Sequence, residues 1–85
     1  MGVEDASTIR PRPVSKERAI FGANFRKARR AKKLSQRDVT ALTGFAQSFI
    51  SEVETGKSPI GIDNMATLAT LVGVPLWKLL QPAGH

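Results

Sequence analysis

Three stretches of this chain carry apolar residues at helical spacing, and each stops at a glycine. Val39, Leu42 and Thr43 precede Gly44; Phe45, Ile50 and Val53 precede Gly56; Ile62, Met65, Leu68, Ala69 and Val72 precede Gly73. Apolar residues three and four apart line one side of a helix, and a glycine just past its end takes the left-handed conformation that a Cβ resists. No segment alternates apolar and polar residues as a half-buried strand does. Helices packing on helices are what such a chain can build.

The remaining punctuation agrees. Ser15 is a helix N-cap with Glu17 in the first turn, and Phe21, Phe25 and Ala28 give the first helix an apolar stripe to about Lys32. Ser35 caps the second helix. Phe45-Ala46 turns into a third, from Gln47 to about Thr55, and Pro59 and Gly61 mark a loop before the fourth. Pro75 suits the first position of a fifth helix with Leu76, Trp77 and Leu80 on its apolar face, ended by Pro82. The expected fold is a compact all-α, five-helix domain over residues 15–81. Residues 1–14, with Pro11, Pro13 and no apolar period, read as a flexible basic arm, and residues 82–85 as a short tail.

Eighty-five residues make one domain with a modest core, and without cysteine neither a disulfide nor a thiolate zinc site can supplement it. Packing or dimerisation must hold the fold. No apolar run approaches the ~20 residues that cross a bilayer, and no signal-peptide pattern opens the chain, so a soluble cytoplasmic protein is expected. The formal charge of +6 suggests a polyanionic partner. That charge is local: Arg10, Arg12, Lys16, Arg18, Arg26, Lys27, Arg29, Arg30, Lys32 and Lys33 all precede Ser35, after which the chain is slightly acidic.

Enzymatic readings fail on spacing. Gly56-Lys57-Ser58 is how a P-loop ends, but Ser51 stands where the first glycine of Gly-x-x-x-x-Gly-Lys-Ser/Thr must be, and no strand precedes it. The single histidine is His85, the last residue, and Glu52 and Glu54 are two apart on a helix and do not face each other. Neither catalysis nor a metal or other cofactor is expected.

Two short helices joined through a glycine-containing turn, the second presenting polar side chains, make a helix-turn-helix. Leu34-Ser35-Gln36, Gly44, Ile50-Ser51, Val53-Glu54 and Gly56-Lys57 resemble the Cro/CI-like, or xenobiotic-response-element, helix-turn-helix family. The match extends back to Arg29 and forward through Ile62-Asp63-Asn64-Met65 and Leu71-Val72-Gly73-Val74 to Leu79-Leu80.

The resemblance implies a DNA-binding protein in which the third helix enters the major groove. Gln47, Ser48, Phe49 and Glu52 then occupy base-reading positions. A glutamine amide offers the donor and acceptor that match adenine, and Glu52 either accepts from cytosine N4 or tilts away from the phosphates. Phe49 could contact a thymine methyl or pack on its own domain. Ser35, Gln36, Thr55, Lys57 and Ser58 fall where the family touches the DNA backbone, with Gln36 also bracing Gln47. Arg29 and Glu54 resemble the family's structural ion pair.

Three residues depart from the pattern: Thr40 where alanine is usual, Leu42 where a polar residue is usual, and Ala46 in place of a Ser or Thr cap. Arg10 and Arg12 could reach a DNA groove or belong to a charged tail, and most basic residues of the first helix read as a solvated face. One short helix reads few base pairs, so a homodimer on an inverted-repeat operator is expected. Leu76, Trp77 and Leu79 are its candidate interface, with closure of the core the other role open to Trp77. The function expected is a transcriptional regulator of repressor or controller type. An antitoxin-like module that holds a toxin or another protein is the alternative.

Overall fold

The computed structural model describes residues 14–82. The arm with Arg10 and Arg12 lies outside these residues apart from Val14, as does the tail beyond Pro82 with His85. Five helices follow in order: α1 (Lys16–Ala31), α2 (Gln36–Thr43), α3 (Gln47–Glu54), α4 (Ile62–Val72) and α5 (Leu76–Leu79). No strand occurs among the described residues, and no helix there is long and apolar enough to cross a membrane.

Each boundary has a local cause. The Ser15 hydroxyl accepts from the Arg18 amide at 3.2 Å and starts α1. Ser35 starts α2 through a reciprocal box: its hydroxyl accepts from the Asp38 amide at 2.9 Å, while its own amide donates to the Asp38 carboxylate at 2.8 Å. Ala46 leaves α3 without a side-chain cap. Gly44, Gly56 and Gly73 all have positive φ, at 81°, 74° and 70°. Lys33 closes α1 with φ of 61° and no glycine; its amide donates to the Arg30 carbonyl at 2.9 Å and that of Leu34 to the Arg29 carbonyl at 3.1 Å.

α1 is the spine, packing against α3, α4 and α5, while α2 rests on α3 and α5 on α4. Phe21 and Phe25, with rings stacked at 6.1 Å, are fully enclosed together with Val39, Ile50, Val53 and Leu68. Each such side chain contributes about 1.5–3 kcal/mol of burial. Gly22, unremarked in the sequence pattern, permits the α1–α3 approach: a Cβ there would stand 1.9 Å from the Val53 carbonyl oxygen.

Several expected apolar positions are not core. Leu42 is 63% exposed and Ile62 61%, so each stripe is one residue shorter than its periodicity suggests. α5 is a single turn with Pro75 as its N-cap rather than its first residue, and it ends at Leu79 before Pro82. Leu79, at 3% exposure, points inward with Leu76 and Leu80 packed beside it, and Trp77, at 63%, points out. Trp77 therefore does not close the core, and Leu79 is spent inside the monomer rather than on an interface. The phase of so short a helix is set by its surroundings. Asn24 on α1 donates to the carbonyls of Leu79 at 2.8 Å and Gln81 at 2.7 Å, fixing the end of α5.

Candidate nucleic-acid interface

The sequence places polar residues on α3 because its other side is committed: Ile50 and Val53 are buried and Phe49 is half-buried. At about 100° per residue, Gln47, Ser51, Thr55, Ser48 and Glu52 sweep one continuous polar arc. Gln47, Ser48, Glu52 and Thr55 are exposed and Ser51 is half-buried. Ser51 falls between Gln47 and Ser48 in that arc, on the presented face. In the sequence pattern Ser51 is masked by its neighbour Ile50, whose apolar spacing marks the position as an anchor.

Phe49 takes up the second of the two roles open to it while staying half-exposed. Its ring meets that of Phe45 edge-on at 5.3 Å and packs against the core, so its surface is used within the domain. The chain following α3 also differs from expectation. After Gly56 it folds back on α1, where the Arg18 guanidinium donates to the Ile60 carbonyl at 2.6 Å. Ser58 is carried inward to 4% exposure, whereas Lys57, one residue earlier, stays exposed. The Thr55 hydroxyl donates back to the Ser51 carbonyl at 3.0 Å, so a phosphate would have to compete for that proton.

A three-residue network sets the position of α3. Arg29 donates through Nε to Glu54 Oε2 at 2.6 Å and through Nη2 to Glu54 Oε1 at 2.9 Å, and through Nη1 to the Leu34 carbonyl at 2.6 Å. Gln36 Nε2 donates to Glu54 Oε1 at 3.1 Å. The last residue of α3 is thereby tied to α1 and to the first residue of α2. Both charges are buried, and the Glu54 hydrogen bond raises the Arg29 pKa from its ordinary value against the opposing effect of burial. The expected brace from Gln36 to Gln47 is not made among the described residues; the Gln36 amide reaches Glu54 because the carboxylate is the stronger acceptor. One Nε2 proton of Gln36 and the hydroxyl proton of Ser35 remain available to an external acceptor.

Beside α3 runs a groove of about 540 Å³, lined by Arg26, Arg29 and Arg30 from α1, Ser35, Gln36 and Arg37 at the start of α2, and Gln47, Ser51, Glu54 and Thr55 from α3. Arg37 was not singled out by sequence spacing, since a lone arginine in an otherwise near-neutral stretch carries no signal until the fold brings it beside Arg26 and Arg30. On another face, a second groove of about 600 Å³ lies between α1 and α5, with Lys27 and Lys78 in its lining.

Known proteins share this arrangement. The family described as "Helix-turn-helix domain" matches residues 22–85. The chain is 35% identical over 65 residues to the uncharacterized HTH-type transcriptional regulator y4dJ of Sinorhizobium fredii, covering 76% of this chain and 84% of that one. It is 37% identical over 68 residues to the uncharacterized HTH-type transcriptional regulator RghRB of Bacillus subtilis, covering 76% of this chain and 48% of that one. Among solved structures, the restriction-modification controller protein C.AhdI from Aeromonas hydrophila superposes with a TM-score of 0.69 at 31% identity, over 76% of this chain and 98% of that one. A hypothetical transcription factor, NHTF, from Neisseria gives 0.73 at 29% identity over 86% and 87%. Sequence pattern, five-helix architecture and relatives converge: the chain belongs to the helix-turn-helix domain family, in its Cro/CI-like form.

Proposed function

We propose that this protein is a sequence-specific DNA-binding transcriptional regulator of repressor or controller type, binding an inverted-repeat operator as a homodimer with α3 in the major groove. The observation that carries the reading is the polar arc of α3, held by the Arg29–Glu54–Gln36 network at the edge of an arginine-lined groove. A helix presented rigidly, with its polar face outward and positive charge beside it, fits a groove flanked by phosphates.

Gln47, Ser48 and Glu52 are the base-reading residues, with Ser51 added between them. Ser35, Gln36 and Lys57 meet the backbone, and Thr55 joins them if its hydroxyl turns from Ser51. Trp77, exposed on α5, and Leu76 beside it are the residues through which two copies meet. The likeness to a restriction-modification controller protein supports the regulator reading.

Selection of binding sites from random duplex DNA tests this. The expected product is an inverted repeat whose half-sites are centred about one helical turn, ~34–36 Å, apart. Recovery of unrelated sequences would refute it. The second reading, a protein-holding module of antitoxin type, draws on Leu42, which is exposed and apolar at the end of α2. Such a module would bind its operator only with its protein partner present.

A further inference from the structure

Among the described residues Arg29–Glu54 is the only ion pair. Arg26, Arg30 and Arg37 are exposed and line one groove, where the only carboxylate, that of Glu54, already accepts from Arg29 and Gln36. Three like charges gathered without a counter-charge repel one another and weaken the fold. No carboxylate among the described residues pairs with them, so an anionic partner at this groove is favoured.

The groove identifies that partner's chemistry. Gln47 belongs to the same lining, so a duplex that puts a base edge on Gln47 runs its flanking strand past the arginines. A guanidinium fork matches two phosphate oxygens at once, which an ammonium does not. The neighbouring Lys27 lines the other groove, between α1 and α5, and is turned from this path. We propose that Arg26, Arg30 and Arg37 form a phosphate clamp that takes the DNA strand flanking the bases read by α3. The footprint thereby extends beyond the helix-turn-helix onto α1. This rests on the DNA-binding reading above.

The test is the salt dependence of duplex binding by the full chain, measured by fluorescence anisotropy between 50 and 200 mM salt, conditions over which phosphate contacts are read out. The probes are the selected operator duplex and a scrambled duplex of equal length. Each of Arg26→Ala, Arg30→Ala and Arg37→Ala is expected to flatten the slope of log affinity against log salt by about 0.9 per protomer, and the triple variant by about 2.7. Both duplexes should show the same flattening, because backbone contacts carry no sequence information. Lys27→Ala should keep the wild-type slope, as should Arg30→Lys, which retains the charge. Circular dichroism melting verifies the fold, and Arg→Gln variants replace any alanine variant that melts below wild type.

Wild-type slopes in the arginine variants would overturn the clamp while leaving the DNA-binding reading intact. Loss confined to the operator duplex would overturn it too, by making the arginines base readers. A wild-type chain that binds neither duplex would overturn both.

Discussion

Replacing Glu54 with alanine separates the residues that build the interface from those that use it. The Glu54 side chain is 2% exposed and that of Arg29 10%, with an Nε–Oε2 distance of 2.6 Å. Alanine at this position leaves the Arg29 guanidinium in place with Nε and Nη2 unmatched, holding only the Leu34 carbonyl, and removes the acceptor of Gln36. Removing one partner of a buried ion pair costs about 3–5 kcal/mol, and the lost Gln36 bond about 1 more. A domain of this size has a total stability of roughly 4–13 kcal/mol, at ~0.05–0.15 per residue. Glu54→Ala should therefore remove a large part of it, lowering Tm by at least ~16 °C at ~4–8 °C per kcal/mol. Gln47→Ala, on an exposed side chain with no side-chain hydrogen bond among the described residues, should change Tm by no more than ~2–4 °C, from about ±0.5 kcal/mol, and weaken only specific DNA binding. Thermal and urea melts followed by circular dichroism, paired with operator binding, give both readouts. Equal thermal losses in the two variants, or a loss under about 1 kcal/mol for Glu54→Ala, would refute the role given to the network.

Other substitutions test separate contacts. Gly22→Ala forces a Cβ to within 1.9 Å of the Val53 carbonyl oxygen, so α1 and α3 must part; a urea midpoint loss equivalent to about 1–3 kcal/mol is expected. The Thr40 hydroxyl is buried without a hydrogen-bond partner among the described residues, and Thr40→Ala should raise Tm by about 4–8 °C by relieving roughly 1 kcal/mol. Bonds from the Ser35 backbone and then its side chain lower the Asp38 pKa from 3.8. A carboxylate lowered on folding stabilises above its unfolded pKa, and the contribution fades as pH falls through the folded value. Asp38→Asn should thus lower Tm at neutral pH and flatten the acid limb of a Tm–pH profile below about 4, the region of the ordinary Asp value.

What was legible in the sequence follows the range of the interaction involved. Caps act over three residues, so Ser15, Ser35 and the three glycines marked helix ends that the structure keeps. The inward turn of Ser58 and Leu79 is not legible there, because it depends on Arg18 and Asn24, which lie some forty and fifty-five residues earlier and have no periodicity to reveal them. Gly22 was invisible for the same reason: its purpose is the Val53 carbonyl on another helix. Arg37 acquires a role only beside Arg26 and Arg30, which the fold supplies.

The same distinction bears on how specificity could evolve on this scaffold. The side chains that orient α3, Arg29, Glu54 and Gln36, are tied to one another and to the turn at Leu34, so changes there alter stability and reading together. The exposed residues of the arc, Gln47, Ser48 and Glu52, make no side-chain hydrogen bond among the described residues. They can be exchanged with little effect on folding. A library randomised at these three positions should accordingly remain folded as a population while its selected operators diverge, whereas one randomised at Arg29, Glu54 and Gln36 should lose most members to unfolding before any new operator emerges. Comparable folded fractions in the two libraries, scored by protease resistance, would show that orientation and reading are not separated in this way.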